Sequence, residues 1–323
     1  MSRDHSALSL SSIPIDVLRE KWSYERMAYR PNAGENTRHV RRFVFRGFLV
    51  LLVWGAPGLI GVAAAGDPSK TPKPNETPLV VTSAYGVDGV VLWLAADSGV
   101  TKDDGNNVTA LVDKTRNFTL TTTDPDQEPS YVANGLNGRP VIRFNGDQSL
   151  YSPDNFGTDL NRDMTIIVVA MNTGARTRLQ YPLYLGQNST SHANRALSCY
   201  RGYNLFDGQW VACYGPPPVR NTFVVTGASL NPALTQATFY LDGALTMVGG
   251  LARENGNATF GDLSNGVTLG AAAGPCRGWL GDIAEELVYD RQLSPTEMQL
   301  IWSSLAGKYG LHPVAIAPSA IKP

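Results

Sequence analysis

The feature of this 323-residue chain that most constrains its fold is a succession of short runs rich in Val, Ile, Thr and aromatic residues. Gly, Asn, Asp and Pro lie between the runs, which is the pattern of strands and turns. Helical periodicity is almost absent, so we predict an all-β, two-sheet antiparallel sandwich of the jelly-roll kind. The clear runs are Val90–Leu94, Phe118–Thr122, Val141–Phe144, Thr165–Met171, Tyr181–Leu185, Thr222–Thr226, Ala237–Leu241, Val267–Leu269 and Ile283–Tyr289.

Two segments predict more than the presence of a strand. The segment from Thr165 to Ala170 is almost continuously apolar, as expected for a strand that is covered on both faces. Asp242 and Gly243 separate two further apolar runs. Both residue types tolerate the positive φ of a tight turn, so they predict a β-hairpin.

One short helix is predicted near the C-terminus. Ser294 is a typical N-cap, Pro295 suits the first helical position, and Glu297 completes a capping box. Gly310 is suited to ending the helix. An apolar face with helical spacing follows the cap, so we expect the helix to pack on an edge of the sandwich. The face consists of Met298, Ile301, Trp302 and Leu305.

The N-terminal region has the three parts of a secretory signal. Three arginines between positions 41 and 46 precede the uncharged segment Gly47–Val62, and small residues follow up to Gly66. We expect cleavage near Ala65 and a secreted or cell-surface protein. The alternative is an uncleaved signal anchor, which would be the protein's one connection to a membrane.

Composition divides the chain into four parts. We predict a leader over residues 1–65, a Pro-rich linker over 66–87, one domain over 88–311 and a tail over 312–323. The chain after residue 65 holds eighteen Lys/Arg and twenty-three Asp/Glu. Nucleic acid is not expected as a partner, because binding to phosphates needs a basic surface.

The three cysteines all follow the signal, and export makes a disulfide feasible. Cys199 and Cys213 flank a segment that resembles two strands and a turn, with the turn at Asn204–Gly208. A bridge between them would leave Cys276 free. The alternatives are a Cys213–Cys276 bridge and a fully reduced chain.

The chain resembles the concanavalin A-like lectin/glucanase superfamily, and in particular the laminin-G-like (LamG) jelly rolls of exported bacterial proteins. The resemblance spans about residues 88–311 and rests on three stretches. These are residues 91–100 with Leu111–Thr115, the stretch Leu136–Gly146, and the stretch Gly278–Tyr289 together with the capped helix. It implies the sandwich fold, but lectins, adhesion modules, glycosidases and passive spacers all share that fold.

In the same stretches we expect Arg139 and Arg143 to pair with Asp97 or Asp113 and to hold the shape of the domain. Some proteins of this kind bind calcium, and Asp282 with Glu285 are the candidate ligands. A hard cation needs six or more oxygen ligands, and two carboxylates alone do not supply them. No cofactor other than calcium is expected.

Sequence motifs of catalysis are missing. A retaining glycosidase of this fold needs two carboxylates on one strand face, and the motif Glu-x-Asp-x-x-Glu is absent. Glu285 and Glu286 are adjacent, so they point to opposite faces of a strand. No Gly-x-Ser-x-Gly elbow occurs, and a lyase built on Tyr200 and His192 is the remaining catalytic option. We predict that the domain is not an enzyme.

Residues 199–218 concentrate aromatic rings beside polar side chains, a composition that suits sugar rings. At least half of these rings should be ordinary core. We predict an exported binding module for a carbohydrate or another cell-surface ligand, such as a cell-surface protein. The alternatives are a structural adhesion or spacer domain without a small ligand, and a carbohydrate-active enzyme. The candidate ligand-binding residues are Tyr200, Tyr203, Asn204, Asp207, Trp210 and Tyr214.

Overall fold

The computed structural model describes residues 81–116, 118–153, 162–175, 178–186, 194–207, 211–251, 266–272 and 277–314. All of them belong to the second of two units, Pro72–Pro323. The leader, most of the linker, His192, Trp210 and Cys276 lie outside the described residues. Predictions that concern them therefore stay predictions.

The described part of the chain is built mainly of β-strands, with one α-helix, α1 (Pro295–Tyr309), and a 3-10 helix at Pro125–Gln127. All nine predicted runs coincide with strands. The strands are β1 (Ser83–Ala84), β2 (Val87–Asp88), β3 (Val90–Ala95), β4 (Val100–Lys102), β5 (Val108–Val112), β6 (Thr119–Thr121), β7 (Ser130–Leu136), β8 (Arg139–Asn145), β9 (Leu150–Ser152), β10 (Met164–Asn172), β11 (Gln180–Gly186), β12 (Asn194–Cys199), β13 (Tyr203–Asp207), β14 (Val211–Tyr214), β15 (Phe223–Leu230), β16 (Gln236–Leu241), β17 (Ala244–Gly250), β18 (Val267–Leu269) and β19 (Leu280–Tyr289).

The strands form two large antiparallel sheets. The eight-stranded sheet has the order β17-β16-β15-β10-β19-β8-β7, and β3 also pairs with β19. The nine-stranded sheet has the order β14-β13-β12-β11-β18-β9-β6-β5-β4. The prediction of an all-β sandwich with one C-terminal helix is confirmed. None of the helices in the described ranges has both the length and the apolarity that a membrane crossing would require.

Two hydrophobic clusters hold these layers together. The larger lies between the sheets and joins Leu92 and Ile166 of one sheet to Leu183 and Leu197 of the other. The smaller covers the outer face of the eight-stranded sheet. Strand β10 faces both clusters, which is why its sequence shows no polar alternation.

Helix α1 begins and ends as predicted. The Ser294 hydroxyl accepts a hydrogen bond from the Glu297 backbone N–H, and the Glu297 carboxylate accepts one from the Ser294 N–H. Arg291 forms a 2.6 Å ion pair with Glu297, and its hydrogen bond lowers the pKa of that carboxyl to about 2. Gly310 ends the helix with a φ of 62°. Local side-chain chemistry therefore fixes both ends.

The folded part begins earlier than predicted. Strands β1 and β2 form a hairpin, and all of it except Asp88 lies in the segment that the sequence analysis assigns to the linker. Ala84 and Val87 are buried in the smaller cluster, and the Ala84 carbonyl accepts a hydrogen bond from the Tyr289 hydroxyl. The hairpin therefore belongs to the domain.

Candidate functional site

The aromatic segment forms three strands, and most of its described candidate residues are buried. Tyr200, Tyr203 and Asn204 are 6%, 5% and 1% exposed, and Tyr203 belongs to the core between the sheets. Tyr214 is 52% exposed on the outer face of the nine-stranded sheet. Asp207 lies at the end of β13, where only its backbone is described, and Trp210 lies outside the described residues. Of this predicted set, Tyr214 is the described side chain that is open to a ligand.

The predicted Cys199–Cys213 disulfide is wrong in this structure. The segment taken for a turn is strand β13, which pairs with β12 on one side and β14 on the other. The two cysteines are therefore two strand spacings apart, at least roughly 9.5 Å, which is beyond the reach of a disulfide. Both thiols are free and buried.

The two proposed calcium ligands are already paired. Arg143 donates to both oxygens of Asp282, at 2.7 and 2.8 Å, and Lys308 lies 2.7 Å from Glu285. Calcium binding at this pair would require both ion pairs to break. Within the described ranges, no three His, Cys, Asp or Glu side chains come together as a metal site requires.

Glu285 is the centre of a buried polar network beneath helix α1. Tyr85 and Trp93 donate to one carboxylate oxygen at 2.6 and 2.5 Å, and Lys308 and Tyr309 donate to the other at 2.7 Å each. Burial, together with the nearby Glu285 charge, raises the pKa of both tyrosines, so both hydroxyls stay protonated donors. With four donors to one carboxylate, the network joins β1–β3, β19 and the helix.

The predicted arginine pairs are confirmed only in part. Arg139 lies 3.8 Å from Asp97, which also binds Lys308 at 3.0 Å. Arg143 pairs with Asp282 instead. The Asp113 carboxylate accepts hydrogen bonds from the Trp93 backbone N–H and from three groups in the turn that follows it.

The outer face of the nine-stranded sheet carries a row of side chains with the chemistry of a carbohydrate site. The register sets Thr121 beside Tyr151, Tyr151 beside Thr268, and Thr268 beside Tyr184. We call these four residues the tyrosine row. Each lies outward because its strand neighbours, such as Leu120, Leu150 and Leu269, face the core.

The tyrosine row combines one exposed ring with one covered hydroxyl. Tyr151 is 39% exposed, and its ring occupies the space in which a Cβ at Gly266 would lie, so it needs a glycine there. The Thr268 hydroxyl is buried and has no hydrogen-bond partner. A buried hydroxyl without a partner is costly, so each such group in a native structure needs an explanation.

Tyrosines also line the inner end of the row. Tyr181 and Tyr184 meet edge to face, with ring centroids 5.5 Å apart. Burial raises the pKa of Tyr181, and the Arg277 charge opposes that shift. Ala196 and Ala272 complete this small cluster. Tyr181 and Tyr184 are 1% and 3% exposed, so they support the sheet beneath the row and are not themselves accessible to a ligand.

The sequence analysis missed the tyrosine row because its members come from four strands that are distant in the chain. The alternation of Leu150, Tyr151 and Ser152 marks Tyr151 as outward-facing. Nothing in the sequence shows that β9 lies next to β18 and β6. Only the strand order brings these side chains together.

No protein-family model matches the chain, and a sequence comparison with curated proteins finds no match. Solved structures resemble it at low identity. A Trypanosoma rangeli sialidase with a bound 2,3-difluoro-KDN has 16% identity and a TM-score of 0.48, with 71% of this chain and 36% of that chain covered. The binding domain of Paraclostridial Mosquitocidal Protein 1 has 13% identity and a TM-score of 0.47, with 67% and 52% covered.

An arabinofuranosidase complexed with arabinofuranosyl-alpha-1,2-xylobiose has 13% identity and a TM-score of 0.49, with 63% of this chain and 51% of that chain covered. The chain thus spans about a third of the sialidase and about half of the other two proteins. With these identities and scores, the likeness assigns no role to any residue of this chain. The prediction that the domain is not an enzyme is contradicted, because sialidases and an arabinofuranosidase are among the structures that it resembles.

Proposed function

We propose that the domain binds carbohydrate on the outer face of its nine-stranded sheet, at the tyrosine row. The observation that carries the proposal is the exposed Tyr151 ring, with the exposed Thr121 beside it on the neighbouring strand. A sugar ring stacked on Tyr151 would direct its hydroxyls towards Thr121. Tyr214, on the same face, is the second exposed aromatic ring.

We further propose that this binding takes place outside the cell. The basic, apolar and small-residue order before Gly66 supports export. The sandwich, the capped C-terminal helix and the sequence stretches quoted above support membership of the concanavalin A-like, laminin-G-like group.

The test is an array of neutral and acidic oligosaccharides, followed by calorimetry with the best ligand. The protein should be recovered from the culture medium or cell surface, where its mass also shows whether residues 1–65 have been removed. Tyr151→Ala should weaken binding about tenfold. Thr121→Val keeps the shape of the side chain and removes the exposed hydroxyl beside that ring, so it should weaken binding about fivefold.

Leu245→Ala is the matched control, because Leu245 is 54% exposed on the other sheet and should leave affinity unchanged. A structural spacer is the second candidate, favoured by the deep burial of Tyr184 and Thr268. It predicts that no oligosaccharide binds. Binding that Tyr151→Ala leaves intact would refute the tyrosine row as the site.

A further inference from the structure

The line of outward side chains that contains Tyr151 and Thr121 continues across the strands at the edge of the nine-stranded sheet. Strand β5 lies between β6 and β4, and the register sets Ala110 beside Thr121 and Thr101 beside Ala110. Residues directly opposite each other in antiparallel strands lie on the same face of the sheet. One line therefore crosses four adjacent strands, and we call it the open row: Thr101, Ala110, Thr121 and Tyr151.

The open row is accessible along its whole length. All four of its side chains are at least partly exposed. Their strand neighbours, such as Leu111 and Leu120, pack in the core between the sheets, which fixes the outward direction of the row. On the other side of Tyr151 the face is covered, because Thr268 is only 3% exposed. The accessible surface therefore runs in one direction, from Tyr151 to β4, the last strand of this sheet.

The open row is longer than one sugar ring. Three strand spacings separate β9 from β4, which amounts to roughly 14 Å. A single ring stacked on Tyr151 reaches the neighbouring Thr121 but not the Thr101 hydroxyl at the far end. A chain of linked rings that crosses the strands meets both hydroxyls, and the small Ala110 side chain between them leaves its path clear.

The strands of the open row carry almost no charge. Among the residues of β4, β5, β6 and β9, Lys102 alone is charged. Its amine lies 4.4 Å from the centroid of the Tyr131 ring on β7, so it is directed towards the other sheet. The hydroxyls of the row can donate to and accept from sugar hydroxyls, but they supply no charge to pair with a carboxylate or a sulfate.

Two acidic loops lie beside the open row. Thr101 lies two residues before Asp103, and Thr121 lies three residues before Asp124; both aspartates are exposed. Asp103 accepts two hydrogen bonds from Asn107, which lower the pKa of its carboxyl and keep it charged. Like charges brought together at an interface are unfavourable. The loops therefore oppose an anionic ligand at this place.

Resting on the proposed function, we propose that the ligand is a neutral oligosaccharide of several linked rings, bound across the strands from Tyr151 towards β4. One ring stacks on Tyr151, and the following rings lie over Thr121, Ala110 and Thr101. The threonine hydroxyls hydrogen-bond with the sugar hydroxyls. A carboxylated chain of the same length binds more weakly, because the row supplies no cation and the adjoining loops are acidic.

The test is calorimetry of the full chain with neutral cello-, xylo-, malto- and N-acetylchito-oligosaccharides of one to six rings, and with oligogalacturonides as the anionic counterpart. In the neutral series that binds, affinity should rise about tenfold from one ring to four rings and then level off. Oligogalacturonides should bind about fivefold more weakly than neutral chains of equal length at low salt.

Two variants locate the far end of the ligand. Thr101→Val keeps the shape of the side chain, and it should weaken binding of the four-ring ligand about threefold while leaving the one-ring ligand unchanged. Tyr151→Ala should weaken both. Thr222→Val, at an exposed threonine next to β15 of the other sheet, is the matched control and should change neither. NMR amide shifts give a second readout without a variant, since only the longer ligand should shift Thr101.

The outcomes separate this inference from the proposed function. An affinity that does not depend on length, tightest binding of oligogalacturonides, or four-ring binding that Thr101→Val leaves unchanged would overturn the inference, although Tyr151 could still be the site of glycan binding. If no glycan binds, or if Tyr151→Ala leaves binding intact, the proposed function itself fails and the inference fails with it.

Discussion

At the scale of single residues, two adjacent glutamates have opposite environments. The sequence places Glu285 and Glu286 on opposite strand faces, and the structure confirms this. Glu285 accepts four hydrogen bonds outside the sandwich, whereas both oxygens of Glu286 are buried between the sheets without a partner. Leu94, Leu111 and Ile142 are among the residues that line the small cavity beside Glu286. Apart from Glu285, whose carboxylate lies on the other face, that lining carries no charge.

We expect replacement of these two glutamates to change stability in opposite directions. Glu285→Gln removes the buried counter-charge of Lys308, which keeps only the partly exposed Asp97, and it should lower the free energy of unfolding by about 3 kcal/mol. Glu286→Leu removes an unpartnered carboxyl and should raise it on the order of 1–3 kcal/mol at neutral pH. Urea unfolding of both variants measures the two effects. Equal destabilisation would contradict the burial of Glu286.

The buried Glu286 should also make the stability of the domain depend on pH. Burial raises the pKa of Glu286 well above its ordinary value, so the folded chain keeps a proton that the unfolded chain releases above roughly pH 4.3. The free energy of unfolding therefore falls as the pH rises from there to the folded-state pKa. Glu286→Gln should remove this fall. Asp147→Asn, a change at a carboxylate that is 78% exposed, serves as the control.

At the scale of elements, the helix was predictable because its signals are local. The cap, the first-turn proline and the terminal glycine all lie within or next to the segment that they define. Ser294→Ala removes the hydroxyl that accepts the Glu297 N–H, and it should cost about 1 kcal/mol. A lowered urea midpoint checks this. Ser303→Ala, at an exposed position of the same helix, should leave the midpoint nearly unchanged.

Strand β13 shows where local signals fail. Asn204, Asp207 and Gly208 are typical turn residues, so the sequence indicates a hairpin turn at that place. In the structure, β13 has a strand on each side, and pairing with both outweighs the turn preference of its residues. Because of this one error, the sequence analysis placed the two cysteines next to each other and the aromatic residues at an accessible site. In the structure the cysteines lie two strands apart, and most of the described residues of that predicted site are buried.

At the scale of the whole molecule, composition predicts the class of fold but not the residues at which the domain begins and ends. Strand runs and turns defined the sandwich, because each sheet must bury one face. The hairpin of β1 and β2 lies in a segment that composition assigns to the linker, since its few apolar residues have no periodicity. Its place in the fold depends on distant partners on β19 and α1.

A fragment cut at the predicted domain limits, residues 88–311, should therefore be less stable than the complete domain. A chain that starts at residue 88 loses the buried Ala84 and Val87 and the hydrogen bond from the Tyr85 hydroxyl to Glu285. A chain that ends at 311 loses the bond from the Val314 N–H to the Asp242 carboxylate.

Burying two such apolar side chains contributes on the order of 2–3 kcal/mol, so residues 88–311 should unfold at a lower temperature than residues 80–314. The comparison needs both fragments expressed alike and melted under one buffer condition. Restoring residues 80–87 alone should recover most of the difference, because the hairpin contributes more buried contacts than the C-terminal residues do. If restoring them has no effect on the melting temperature, the hairpin does not contribute to the stability of the domain.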